Sequence, residues 1–168
     1  IAVARLAPVK RLELVIEAAV QAKSIVPELT LTIVGEGPCR GELEAAVERA
    51  GAGSWIRLSG RYSNEQLLDL YRSAWLVVSG SVAEGWGLSL TEAAACATPC
   101  VATDIRGHHS SVVDGQTGLL VTPERLGSTI AEVLLDHPRR DQLGSAALVR
   151  ARTLTWEASA LGITRCLH

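Results

Sequence analysis

Hydrophobic positions follow two alternating patterns along the chain. Short apolar runs rich in β-branched residues alternate with longer segments in which apolar residues recur every three or four positions. Continuous apolar runs are typical of strands buried on both faces of a parallel sheet, and the longer spacing is typical of helices packed against it. The runs predict six strands, at residues 1–4, 29–34, 55–58, 75–78, 100–102 and 118–121.

Helical spacing predicts the segments between these strands. A helix is expected from Leu12 to a stop at Pro27, and Ser63 with Gln66 forms the pattern of a capping box. Further helices are predicted at residues 40–50, 88–97, 125–135, 139–152 and from 156 onward. This alternation predicts an α/β domain with an open parallel sheet of about six strands, helices on both faces and a helical C-terminal tail. Residues 1–168 are expected to form this single domain.

Composition and charge narrow the class of protein. The chain has a formal net charge of −2 and a pI of about 6.1, which argues against nucleic-acid binding because such affinity needs a basic surplus. The four cysteines include no C-x-x-C pair and no apolar run is long enough to span a membrane. We therefore expect a reduced, cytoplasmic protein without direct membrane contact. The chain begins without Met inside a strand-like run, which suggests a piece of a longer protein.

Two cations follow the first predicted strand. Ligands of parallel α/β sheets bind beyond the carboxyl ends of the strands. Arg5 lies at such an end and Lys10 at the start of the next predicted helix, so we expect both to reach one place above the sheet edge. Arginine grips a phosphate through two N–H groups and lysine adds a mobile charge, so the pair indicates a phosphate ligand. A solvated surface pair is the alternative.

The loop after the fourth predicted strand is the second candidate site. Gly85 and Gly87 allow backbone amides to approach a ligand, and the helix that follows offers free N–H groups to a diphosphate. Glu84 precedes this helix and Glu92 lies within it, so both carboxylates could face one opening and accept hydrogen bonds from sugar hydroxyls. The alternatives are stabilisation of the helix N-terminus for Glu84 and a solvated position for Glu92.

The loop after the fifth predicted strand carries two adjacent histidines. Neighbouring side chains point in different directions on a helix, and no third residue has the spacing of a zinc ligand. We therefore interpret His108 and His109 as surface or cleft-lining residues and expect no metal. Asp104 or Ser110 is the expected cap of the local helix.

Three common motifs are incomplete or absent. The glycine-rich turn at residues 35–41 has Arg40 where a dinucleotide loop has its third glycine, and no acidic residue follows the next strand. No G-x-x-x-x-G-K-[ST] or G-x-S-x-G segment occurs. These features argue against a Rossmann dehydrogenase, a P-loop NTPase and an α/β-hydrolase.

Taken in order, the motifs resemble those of the C-terminal, donor-binding domain of a GT-B glycosyltransferase, in the family-4 or group 1 branch of retaining enzymes. The most specific segment runs from Glu84-Gly85-Trp86-Gly87-Leu88 to Glu92 and matches the E-x7-E signature of that family. The other matching segments are residues 3–6 with 10–11, 33–38, 63–67 with 70–71, 98–99 and 114–121.

The resemblance implies a nucleoside-diphosphate sugar as donor, transferred with retention, and no metal cofactor. Arg5 and Lys10 would bind the diphosphate, and Glu84 would face the donor sugar; these three form the implied catalytic set. Glu92 would bind the ribose, and the loop around Arg61 would lie near a uracil, guanine or adenine base. The remaining implied donor-binding positions are Gly85, Trp86, Gly87 and Leu88.

Four positions depart from the family pattern. The family has Gly where Ala4, Ala97 and Arg106 stand and Glu where Ser110 stands. We interpret Ala4 and Ala97 as mild packing changes, and Arg106 and Ser110 as changes in the loop nearest the donor sugar. A GT-B enzyme also has an N-terminal, acceptor-binding domain. We therefore expect that domain as a partner, and expect this chain to bind nucleotide without transferring sugar alone.

Two other interpretations of the function remain open. One is a degenerate nucleotide-sugar-binding or interaction module, which Arg106 and Ser110 favour. Arg5, Lys10, Glu84 and Glu92 argue against it, because a purely structural domain needs none of them. The other is a different GT-B enzyme, such as a phosphorylase or an epimerase, whose product would be a sugar phosphate or an epimer.

Overall fold

The computed structural model describes residues 1–155, in which strands and helices alternate as predicted. The strands are Ala2–Val3 (β1), Leu31–Val34 (β2), Ile56–Leu58 (β3), Val77–Ser79 (β4), Cys100–Thr103 (β5) and Leu119–Val121 (β6). The α-helices are Leu12–Lys23 (α1), Arg40–Arg49 (α2), Asn64–Ser73 (α3), Leu88–Ala95 (α4), Arg106–Ser111 (α5), Leu126–Leu135 (α6) and His137–Ala151 (α7). Short 3-10 helices lie at Pro8–Lys10 and Pro123–Arg125.

The strands form two parallel three-stranded sheets that meet at β1 and β4. One sheet has the order β1-β2-β3 and the other β4-β5-β6. The N–H of Val78 donates to the carbonyl of Ile1 at 2.8 Å, and the amino group of Ile1 donates to the carbonyl of Leu76 at 2.8 Å, so β1 and β4 lie side by side. The spatial order is therefore 3-2-1-4-5-6, which confirms the predicted fold class. In this order the chain reverses direction across the sheet between β1 and β4, where α/β proteins bind their ligands.

Alternate residues of the central strands enter two apolar clusters, one on each face of the sheet. In β4, Val77 packs with Tyr71 and Leu90 of α3 and α4. Its neighbour Val78 packs in the larger cluster, with side chains such as Ile16 and Ile130 from α1 and α6. Successive side chains of a strand point to opposite faces, so a strand covered on both sides must be apolar throughout. This requirement explains the continuous apolar runs in the sequence.

Most predicted helix positions are confirmed, with corrections at their ends. The capping box of α3 is present: Gln66 N–H donates to Ser63 Oγ at 3.2 Å, and Ser63 N–H donates to Gln66 Oε1 at 2.9 Å. Helix α7 begins at His137 instead of residue 139, because the Asp136 side chain caps it by accepting from Arg139 N–H at 3.0 Å. The helix predicted from residue 156 lies outside the described residues.

Helix α4 ends at Ala95, two residues earlier than predicted, because Ala97 adopts a left-handed conformation with φ of 59°. The N–H groups of Ala97 and Thr98 donate to the carbonyls of Ala94 and Ala93, each at 3.0 Å, which is the Schellman arrangement of a helix C-terminus. Glycine is the usual residue at this position. Ala97 is therefore a change of backbone preference, and its interpretation as a mild packing change is wrong.

Replacing Ala97 by Gly is expected to raise the free energy of unfolding by about 1 kcal/mol. Alanine costs about 1–2 kcal/mol in the left-handed region, and the greater freedom of glycine in the unfolded chain offsets part of the gain. Urea denaturation measures the difference. The control Ala95→Gly, within α4, is expected to lower the same free energy by roughly 0.5–1 kcal/mol. An Ala97→Gly variant no more stable than the parent would contradict this account.

Candidate functional site

The loops that follow β1 and β4 meet at the carboxyl edge of the sheet. Lys10 Nζ donates to Glu84 Oε1 at 2.6 Å, and the N–H of Val82 donates to the carbonyl of Val9 at 3.0 Å. Lys10 ends a 3-10 helix, and α1 begins at Leu12, so the expected position of Lys10 at the helix start needs correction. An ion pair thus joins the two loops at the crevice between β1 and β4.

Glu84 is held as an anion within this pair. The side chains of Lys10 and Glu84 are 22% and 16% exposed, and Ser81 Oγ also donates to Glu84 Oε1, at 2.7 Å. Burial by itself raises the pKa of Glu84, but the hydrogen bonds from Lys10 and Ser81 and the charge of Lys10 lower the pKa overall. The site therefore presents a carboxylate and an ammonium group in contact at its floor.

Beneath Glu84, a buried polar network connects β4 with β5. Thr103 Oγ1 donates to the carbonyl of Ser81 at 2.6 Å. His108 Nδ1 lies 2.7 Å from the carbonyl oxygen of Thr103 and His108 Nε2 lies 3.2 Å from Ser79 Oγ. A carbonyl only accepts, so Nδ1 carries the proton. Burial lowers the pKa of His108 and favours the neutral ring. The Ser79 hydroxyl, which contacts Nε2, also donates to Ser81 Oγ at 3.3 Å. This network fixes the base of the loop that carries Glu84.

The two histidines have different environments, so the interpretation of both as surface or cleft-lining residues is wrong for His108. His108 is completely buried, whereas His109 is exposed and its Nε2 lies 2.6 Å from Asp104 Oδ1. The expected cap of α5 is also wrong: Ile105 is the N-cap residue and supplies no side-chain hydrogen bond. Asp104 instead contacts His109, and the carbonyl of Ser110 accepts from Arg150 Nη2 of α7 at 3.0 Å.

Two glycines allow the loop after β4 to pack closely against α5. A Cβ atom at Gly107 would lie 2.0 Å from the carbonyl oxygen of Glu84, so a side chain there would displace the loop backbone. Gly87 has φ of 84° and is the N-cap of α4, and a Cβ there would lie 3.0 Å from Ser111 Oγ. Because Gly87 supplies no side-chain cap, the first N–H groups of α4 are available to a ligand. The predicted role of this helix terminus in binding a diphosphate stays a prediction.

Arg5 lies at the other side of the β1 strand end, next to a cavity of about 530 Å³. Arg5, Glu36, Arg61 and Tyr62 are the polar residues that line it. The two predicted diphosphate-binding cations therefore have different surroundings: Lys10 contacts Glu84, and Arg5 borders this cavity with Arg61. The cavity lies beyond the carboxyl ends of β1 and β2, where a ligand could extend from the crevice.

Glu92, on the first turns of α4, contacts α3. Tyr71 Oη donates to Glu92 Oε2 at 2.8 Å. The spacing between Glu84 and Glu92 predicts that both carboxylates face one opening. In the structure the two carboxylates have different partners: Glu84 accepts from Lys10, and Glu92 accepts from Tyr71. The contact between Tyr71 and Glu92 was not predicted from the sequence, because it joins two helices that only tertiary packing brings together.

The exposed rim of the loop before α4 is apolar. Trp86 is 39% exposed and Leu88 is 69% exposed, and the indole N–H of Trp86 donates to Thr91 Oγ1 at 2.8 Å. Gly85 has no atom within 4 Å of a Cβ built on it. A larger apolar cavity, of about 590 Å³, lies at the opposite ends of the strands beside Trp75 and borders none of the predicted site residues.

The described residues provide neither a metal cluster nor a membrane span. Within residues 1–155, no three His, Cys, Asp or Glu side chains are grouped so that they could share a metal ion. Over the same range, no helix combines the length and the apolar character that crossing a bilayer requires.

Comparison with known proteins decides the family. The family model described as "Glycosyl transferases group 1" matches residues 1–150. The chain belongs to this family. Its fold corresponds to the C-terminal domain of a GT-B glycosyltransferase, as the motifs predicted.

Named relatives of this glycosyltransferase domain are longer proteins. The D-inositol 3-phosphate glycosyltransferase of Segniliparus rotundus is 33% identical over 168 residues, covering 96% of this chain and 37% of that protein. The GtfA subunit of the UDP-N-acetylglucosamine–peptide N-acetylglucosaminyltransferase of Streptococcus gordonii is 37% identical over 122 residues, 72% of this chain and 24% of the relative. The chain therefore spans well under half the length of these relatives.

A solved structure of similar fold contains a nucleotide sugar. The crystal structure of HepE from Anabaena, in complex with UDP-glucose, superimposes with a TM-score of 0.80 and 26% identity. It covers 89% of this chain and 43% of the HepE chain.

Replacing Glu84 by Gln is expected to destabilise the domain by about 2 kcal/mol at pH 7, because a charged hydrogen-bond acceptor is lost. The pKa of Glu84 is lower in the folded than in the unfolded chain, so the contribution of the carboxylate is complete above the unfolded pKa. It is lost as the pH falls through the folded value. The difference between parent and variant should therefore shrink below about pH 4.

Urea denaturation between about pH 3 and pH 7, a range that includes the titration of a carboxylate, measures this difference. Glu48→Gln, an exposed position on α2, is the matched control and should change stability little at any pH. A stability difference for Glu84→Gln that stays constant across the range would show that the carboxylate is not held by Lys10 and Ser81.

Proposed function

We propose that the chain is the donor-binding domain of a retaining glycosyltransferase that uses a UDP-sugar. The observation that carries this proposal is the contact between Lys10 and Glu84 at the crevice between β1 and β4, next to the uncapped N-terminus of α4. A cation, a carboxylate and free N–H groups at one point suit a diphosphate joined to a sugar. Membership of the group 1 family supports it.

In this proposal, the diphosphate lies between the cations and the start of α4. Lys10 has three N–H donors, so it can bind a phosphate oxygen while it keeps Glu84. Arg5 would bind the diphosphate from the side of the second cavity, and the backbone N–H groups near Gly87 and Leu88 would bind it from α4. These groups stabilise the negative charge that develops on the leaving diphosphate, and so perform the task that a metal ion performs in other transferases.

The sugar and the nucleoside would lie on opposite sides of the diphosphate. Glu84 would accept hydrogen bonds from the donor sugar, near the exposed side chain of Trp86. Glu92 would bind the ribose hydroxyls, and the loop around Arg61 would contact the base. We infer uracil as the base because HepE was solved with UDP-glucose and the GtfA relative is named for UDP-N-acetylglucosamine.

The acceptor would bind to a part of the protein outside this chain. The chain spans 37% of the Segniliparus relative, so a second domain of such a protein has room to form the other wall of the cleft. We propose that this domain supplies acceptor binding and that the complete enzyme works in the cytoplasm. The domain described here would contact neither nucleic acid nor membrane directly, which agrees with its net charge of −2.

Calorimetric titration with UDP, GDP and ADP tests the proposed donor site. UDP is expected to bind more tightly than the other two nucleotides. Arg5→Ala and Glu92→Ala should each weaken UDP binding about tenfold, because each removes a charged hydrogen bond worth roughly 1.5 kcal/mol.

Two exposed residues at the C-terminal end of α2, Arg49 and Glu48, provide matched controls. Their replacement by Ala makes the same changes of charge away from the loops after β1 and β4, and should leave the affinity for UDP unchanged. The proposal fails if UDP does not bind, or if the control variants lose as much affinity as Arg5→Ala and Glu92→Ala.

The isolated chain is expected to bind UDP-sugars without transferring the sugar, because the proposed acceptor wall is elsewhere. The test combines the chain with UDP-N-acetylglucosamine and D-inositol 3-phosphate, the acceptor in the name of the Segniliparus relative. Mass spectrometry would detect the glycoside. Product formation by this chain alone would contradict the division into donor and acceptor domains.

A further inference from the structure

Tyr71 is a buried polar side chain to which the proposed donor site assigns no task. It lies near the end of α3, is 2% exposed, and packs in the apolar cluster with Leu90 and Ala93 of α4. Its backbone is fixed as well, because Thr98 Oγ1 donates to the Tyr71 carbonyl at 2.6 Å. The ring therefore has a fixed position relative to α4.

The hydroxyl of this fixed ring contacts one oxygen of Glu92. Tyr71 Oη donates to Glu92 Oε2 at 2.8 Å. Burial, together with the neighbouring Glu92 carboxylate, raises the pKa of Tyr71, so the phenol keeps its proton and acts as a donor. Glu92 itself is exposed on the helix surface, where a carboxylate without such a contact would sample several rotamers.

We propose that Tyr71 is the positioning residue that sets the preference of this site for a ribonucleotide. The inference rests on the proposed function, in which Glu92 binds the ribose. By holding Oε2, Tyr71 orients the carboxylate and leaves the lone pairs of Oε1 for the ribose hydroxyls. A carboxylate that is already ordered loses less conformational entropy when the ribose binds.

The substitution Tyr71→Phe tests this role, because it removes one hydroxyl and keeps the buried ring. UDP and its 2′,3′-dideoxy analogue are titrated calorimetrically into the parent and the variant. We expect the parent to prefer UDP, and the variant to lose about fivefold of that preference, the cost of ordering one long side chain. Affinity for the dideoxy analogue should change little, because that ligand has no ribose hydroxyl for Glu92.

A merely structural role of Tyr71 predicts a different result. Loosened packing between α3 and α4 would weaken both ligands equally, and the preference for UDP would stay as it is in the parent. Ser73→Ala, which removes another hydroxyl from α3, is the control and should not change the preference. An unchanged preference in Tyr71→Phe, with UDP bound by the parent, would overturn the inference and leave the proposed function standing. Absence of UDP binding to the parent would overturn both.

A stability cycle tests the contact itself without a ligand. Tyr71→Phe, Glu92→Ala and the double variant are unfolded in urea. Because the two single changes disturb the same hydrogen bond, their effects should be non-additive by roughly fivefold in the unfolding equilibrium constant. Additive effects would show that Tyr71 does not hold Glu92, and would overturn the inference.

Discussion

The pairing of β1 with β4 determines where the site of this protein can be. These strands are far apart in the sequence, yet the hydrogen bond from Val78 N–H to the Ile1 carbonyl makes them neighbours at the centre of the sheet. On one side of this pair lie β2 and then β3, and on the other side lie β5 and then β6. The loops after β1 and β4 therefore lie next to each other at the carboxyl edge of the sheet, at the crevice where the chain reverses direction across the sheet. Lys10 and Glu84 meet across that crevice.

The ion pair is supported by layers of polar groups that are themselves buried. Ser81 Oγ donates to Glu84, and Thr103 Oγ1 donates to the backbone carbonyl of Ser81. His108 contacts Thr103 at the end of β5 and Ser79 at the end of β4. Each group in the series is satisfied by the next, so the carboxylate can stay ionised in a partly buried place. These hydrogen bonds leave no buried polar group of the series without a partner, and they hold the Lys10–Glu84 pair in one arrangement at the sheet edge.

Local patterns were sufficient to predict the fold class, and they also predicted which loops lie at the carboxyl edge of the sheet. Apolar runs marked the strands, and Ser63 with Gln66 marked the start of α3, because these signals depend on residues adjacent in the sequence. The contact of Lys10 with Glu84 and that of Tyr71 with Glu92 could not be predicted in the same way, since each joins elements that meet only after the sheet has formed. The burial of His108 was missed for the same reason.

The close approach at Gly107 has a consequence for how this domain can diverge. Because the Glu84 carbonyl occupies the space of a Cβ atom there, the loop after β4 packs directly on α5, and Arg150 of α7 contacts α5 through the Ser110 carbonyl. A substitution that reshapes the backbone of one loop would disturb the others with it. Exposed side chains at the rim, such as Trp86, Arg106 and His109, can change without moving this backbone. The floor of the site is constrained to stay the same while its rim is free to vary.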